Sequence, residues 1–124
     1  MTPEEVRALV LSFPETVESA AYGKPAYKVA GKFFTRLRAE DQSLVLTGVS
    51  FDEREMYMAA EPKTFHITAH YRDYPAVLAR IASVDAGTVR VLLERRWREI
   101  APRKLVKAWD AEKAGASAAA ARSA

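Results

Sequence analysis

The sequence contains no cysteine, and that one absence removes a disulfide framework, a thiol nucleophile and any thiolate metal site together. It fits a reducing compartment, and the expected location is the cytoplasm. Glycine is sparse, 5 residues scattered among 124, so no glycine-rich loop can cradle a phosphate. No apolar run approaches the roughly 18 residues of a membrane-spanning helix. The N-terminal residues also lack the basic-then-apolar pattern of a secretory leader, so a membrane partner is not expected. Charge of one sign is short as well, 19 basic against 16 acidic side chains for a net +3. Residues 1–60 hold 7 basic and 9 acidic side chains and residues 61–124 hold 12 and 7, so the halves carry −2 and +5. This asymmetry points mildly to an anionic partner, although a solvated basic face is its commoner meaning.

What is present is an ordinary globular composition, 49% apolar and 28% charged, in a length that suits one domain, expected over residues 1–111. Thr2-Pro3-Glu4-Glu5 reads as a capped helix start, with Thr2 as cap, Pro3 in the first turn and Glu5 closing a capping box. Val6, Leu9, Val10 and Phe13 share one face of that helix, and Pro14 ends it. A short strand over Glu18 to Tyr22 follows. A third full strand is expected at Ser43 to Val49, after the hairpin described below. A second helix is expected to about Ala60, capped by Asp52, with Glu55 as box partner and Phe51 stapled onto Met56.

Beyond Pro62, strands are expected at Thr64 to Thr68 and at Val77 to Ser83, joined by a loop carrying His70, Tyr71, Arg72 and Tyr74. Asp85 caps a long helix whose buried stripe is Val89, Leu92, Leu93, Trp97 and Ile100, and Ala101-Pro102 separates it from a last helix packed through Leu105, Val106 and Trp109. Residues 112–124 hold no large apolar side chain and are expected to form a disordered or frayed tail. The fold expected is α+β, an antiparallel sheet packed against helices in the order α-β-β-β-β-α-β-β-α-α.

The stretch from Tyr22 to Arg38 stands out as a basic β-hairpin. Gly23 and Pro25 punctuate its start, Gly31 marks its turn, and Lys24, Lys28, Lys32, Arg36 and Arg38 lie in it with no acid among them. Alternation on the arms puts Tyr27 and Val29 on one face with Phe33, Thr35 and Leu37. Joining those sets requires a loop with an odd number of residues, such as Ala30 to Lys32. The outer face then carries Lys28, Phe34, Arg36 and Arg38. Its bland meaning is an amphipathic hairpin with a wet side.

Little else suggests chemistry. His66 and His70 have a metal-like spacing, but they are expected on a strand and a loop rather than one helix face, and no metal site is expected. The pairs Glu4-Glu5, Glu40-Asp41 and Asp52-Glu53 are accounted for by helix starts and a turn. No serine sits in a nucleophile elbow. No catalytic residue and no cofactor is expected, and the chain is read as a non-enzyme and a monomer.

Taken together, Tyr22 to Val29, Gly31 to Phe34, Arg36-Leu37, His70-Tyr71-Arg72, Tyr74-Pro75, Trp97 and Ala101-Pro102 resemble the MmcQ/YjbR family of small bacterial proteins over roughly residues 3 to 110. The resemblance implies an antiparallel sheet packed on helices, similar to frataxin-like and type III secretion chaperone-like folds, and a strand at Val77 to Ser83. It also implies DNA binding by two projections acting as a double wing. Carried onto this sequence, the contacts fall on Lys24, Lys28, Lys32, Arg36 and Arg38, and on His70 and Arg72, with Phe34, Tyr71 or Tyr74 packing on sugars or bases. The alternative is a non-enzymatic module holding a protein or peptide on an open sheet face or edge. An iron role like that of frataxins fits poorly, because Glu4 and Glu5 belong to no longer acidic ridge.

Overall fold

Two small antiparallel sheets meet along one broken strand, and the helices close over their inner faces. A computed structural model of the chain describes residues 1–21 and 23–123, the last five by backbone alone. Tyr22, expected to end the first strand, and Ala124, at the end of the expected tail, lie outside the described residues. The first sheet has the order β1 (Thr16–Ala21), β2 (Lys24–Val29), β3 (Lys32–Thr35). The second has the order β4 (Leu37–Arg38), β5 (Ser43–Thr47), β7 (Ala76–Arg80), β6 (Phe65–His66). Between β3 and β4 sits Arg36, whose carbonyl accepts from Val45 N–H at 2.9 Å. One length of chain thus passes from the first sheet to the second, which is why five strands precede the second helix where the sequence pattern suggested four.

Helix α1 (Pro3–Leu11) starts as expected, with Glu5 N–H donating to Thr2 Oγ1 at 3.1 Å and Thr2 N–H to Glu5 Oε1 at 3.0 Å. The same bonds hold the Glu5 carboxyl below its ordinary value. Its Val6 and Val10 are buried. Asp85 caps α3 (Ala86–Ile100) by accepting from Thr88 N–H, and the whole expected stripe is buried. Trp97 and Phe34 are fully buried, and Phe13 joins them: it meets Phe34 edge-on at 5.8 Å and lies 5.7 Å from Trp109. Burying such side chains, at about 25 cal/mol per Å² of apolar surface, is the main drive holding the sheets to α3.

Three local expectations are corrected. The hairpin turn has two residues, Ala30 and Gly31, both at positive φ, with Val29 paired to Lys32. That is the backbone of a type I′ turn, whose twist matches the flanking strands. With an even loop Phe34 joins Val29 inside, while Phe33 pairs with Lys28 at the half-buried outer face. Helix α2 (Phe51–Ala60) is capped by Ser50, not Asp52; Ser50 Oγ accepts from Glu53 N–H at 3.2 Å, and Phe51 and Met56 are both exposed. The strand expected at Thr64 to Thr68 narrows to β6.

The last helix, α4 (Arg103–Ser123), runs on through most of the segment expected to be a tail. Alanine has the highest helix propensity, so the backbone can stay helical without a core. The side chains of residues 111–118 are all exposed. Packing on the domain ends with Trp109, the Arg98–Asp110 pair at 2.5 Å and the Lys113–Glu94 pair.

Candidate functional site

An open cleft of about 550 Å³ lies between the hairpin and the loop before β7. One wall is Ala20, Ala21, Lys28, Gly31 and Phe33, and the other is His70, Tyr71, Tyr74 and Pro75. Arg36, Thr47, Gly48, Ala76 and Arg96 complete the lining. The aromatic wall is built locally: Ala69–Tyr71 is a single 3-10 turn, His70 packs edge-on against Tyr71 at 4.7 Å, and it stacks with Tyr74 at 6.0 Å. Gly48 has φ +72, and a Cβ there would come within 3.1 Å of Arg96 Cδ, so glycine leaves Arg96 its place beside the cleft.

A second cleft of about 450 Å³ shares Arg36, His70 and Tyr71 with the first and adds Lys24, Arg38, Glu40, Thr68 and Ala69. Three cations converge here on one carboxylate oxygen. Glu40 Oε2 lies 3.8 Å from Lys24, 3.3 Å from Arg36 and 3.3 Å from Arg38. Arg38 also approaches Asp41 at 3.5 Å. Arg36 is only 9% exposed, and its Nε is buried without a hydrogen-bond partner. The guanidinium therefore holds donors that Glu40 alone does not use.

A buried arginine fixes the aromatic wall. Arg54 of α2, 5% exposed, donates from Nη1 to the carbonyls of Tyr71, Tyr74 and Ala76 and from Nη2 to that of Arg72, at 3.0 to 3.3 Å. Its planar fork satisfies a loop that has little regular backbone pairing of its own. Nothing in the sequence pattern singled this residue out. On the sheet behind the second cleft, His66 Nε2 shares a 2.8 Å hydrogen bond with Ser43 Oγ. Burial, aided by Arg80 and Arg38 and opposed by Asp41, pushes the His66 imidazole below its ordinary value.

The residues expected to form the site divide into three groups. Lys28, Arg36, His70 and Tyr71 come together around the first cleft, and Lys24 and Arg38 join Arg36 in the second. Lys32 and Arg72 are exposed and line neither cleft, and among the described residues Lys28, Lys32 and Arg72 take part in no ion pair. Phe34 does not belong to this surface. It is a core residue at 0% exposure, and the hairpin aromatic that reaches the cleft is Phe33. Arg96, from α3, is an additional cation that hairpin-centred reasoning misses, and it pairs with Glu99 at 3.2 Å. Among the described residues no cluster of His, Asp and Glu could hold a metal ion, and no helix is long and apolar enough to cross a membrane.

A family model described as YjbR matches residues 11–99. Uncharacterized proteins of Mycobacterium bovis and of two strains of Mycobacterium tuberculosis are each 29% identical over 122 residues, covering 87% of this chain and 95% of the relative. No solved structure matches the chain. The matched span includes the hairpin, the aromatic loop and most of α3, so both clefts lie within it.

Proposed function

The chain belongs to the YjbR family, and from that premise we propose that it is a non-enzymatic DNA-binding protein whose hairpin and aromatic loop grip the phosphate backbone from two sides. The observation that carries this reading is the cleft between those two elements, where Lys28, Arg36 and Arg96 share one lining with His70, Tyr71 and Tyr74. Cations supply affinity for phosphates, and aromatic faces supply contacts with sugars and bases. Lys28, Lys32 and Arg72 are the charges most available to phosphates, since among the described residues no carboxylate pairs with them. With a net charge of only +3, the contact is of the weak, salt-sensitive kind.

The test is fluorescence anisotropy of labelled DNA across a salt series, with a Lys28→Ala, Lys32→Ala, Arg72→Ala variant beside the parent. Binding should weaken linearly on a log-salt plot, and removing the three charges should lower the slope by about 2 to 3. An unchanged slope would remove these residues from the interface, and no binding at low salt would sink the DNA reading. One observation favours a second reading, a peptide partner. Strand β1 is an edge with β2 on one side only, and residues 17–20 are all exposed, Val17 at 55%. Such an edge can accept an added strand.

A further inference from the structure

We propose that the two adjoining clefts form one nucleotide subsite that takes an unpaired base and its phosphate, and hence that the preferred ligand is single-stranded nucleic acid. This rests on the DNA reading above and narrows it. The first cleft is concave and largely apolar, walled by Phe33 on one side and by Tyr71 and Tyr74 on the other. A duplex has its base faces stacked inside and nothing flat to offer such a wall, whereas a strand can turn a base outward. Tyr74, 51% exposed, is the most exposed of these three rings.

The second cleft shares Arg36 with the first, as a phosphate site one sugar away from a bound base would require. Its three cations converge on the Glu40 carboxylate, and Asp41 reaches Arg38 alone. Glu40 therefore stands where a phosphate oxygen would sit, a half-exposed placeholder at 46% side-chain exposure, with contacts of 3.3 to 3.8 Å that are long for ion pairs. The second sign is that Arg36 reaches Glu40 through Nη2 alone, at 3.3 and 3.5 Å, so that carboxylate does not engage its Nη1 donors and an anion of more than one oxygen could. An incoming phosphate would displace Glu40 toward solvent and accept from Arg36 and Arg38 in its place.

The experiment compares a labelled oligothymidylate of about ten nucleotides with a labelled duplex of the same length, by anisotropy at low salt. Four proteins are needed: the parent, Tyr74→Ala, Glu40→Gln, and a Tyr74→Phe control that keeps the ring. The parent should prefer the single strand. Tyr74→Ala should weaken oligothymidylate about tenfold and leave duplex unchanged, Tyr74→Phe should behave as the parent, and an abasic strand should bind the parent as weakly as the thymidylate binds Tyr74→Ala. Glu40→Gln should tighten both ligands about threefold, because the cations then lack a competing carboxylate. Equal binding of strand and duplex, with no effect of Tyr74→Ala, would overturn the base subsite while leaving phosphate binding by Lys28, Lys32 and Arg72 intact. Weaker binding in Glu40→Gln would show Glu40 to be a scaffold for the arginines and overturn its placeholder role. Failure of the parent to bind either ligand would overturn this inference and the DNA reading together.

Discussion

Arg54 shows how much a single side chain can decide. Its guanidinium spends its Nη hydrogens on four carbonyls of residues 71–76, so the aromatic wall is held from beneath rather than by its own backbone. Lysine keeps the charge but cannot reach four acceptors from one ammonium group. Arg54→Lys should cost roughly 2–4 kcal/mol in urea unfolding, since it strands buried carbonyls. It should also speed amide exchange of residues 71–76 in native protein more than that of β5. Equal exchange in the two segments would mean that the loop does not depend on the fork. No pattern in the sequence marks such a residue, because its partners lie 17 to 22 positions away and are backbone atoms. The Thr2 and Asp85 caps were legible for the opposite reason, as each partner lies three residues off. Phe33 and Phe34 exchanged roles although both were recognised as strand residues, because inside and outside depend on the parity of one turn.

That turn belongs to the scale of elements. Ala30 at φ 50 and Gly31 at φ 78 form the bend between β2 and β3, and alanine is strained there where asparagine is not. Ala30→Asn should therefore stabilise the protein by about 0.5–1 kcal/mol, read as a higher urea midpoint with an unchanged slope. A loss of stability would mean that the hairpin tolerates the three-residue register instead. Helices were the most legible elements, since the period of Val89, Leu92, Leu93, Trp97 and Ile100 is a property of the sequence itself. Strands of two residues such as β4 and β6 carry no period. Their limits are drawn by what β5 and β7 offer, and the break at Arg36 follows from the change of sheet, which no local pattern records. The candidate site was half legible on the same account. Its cations lie within one basic stretch, but their gathering around Glu40 and beside Arg96 is a product of packing.

Across the whole molecule, charge pairs tie distant segments and make stability a function of pH. Arg95 holds the Glu53 carboxyl below the usual range, and Lys113 with Arg98 does the same for Glu94. A carboxylate lowered on folding contributes stability that is complete above its unfolded value, 4.5, and lost as the pH falls through the folded one. His66 is lowered as well, in a higher window. The unfolded chain takes up its proton near 6.5 while the folded chain does not, so stability declines as the pH drops below 6.5 and levels off past the folded value. Both effects have the same sign, so stability should decline in an upper and a lower pH window. Urea midpoints measured from about pH 7 to about pH 4 should fall in both windows. His66→Gln should flatten the upper window alone, because glutamine has no proton to gain, and Glu53→Gln should shrink only the lower one. If His66→Gln left the upper decline in place, the burial of that imidazole behind the second cleft would not be what makes the fold sensitive to mild acid.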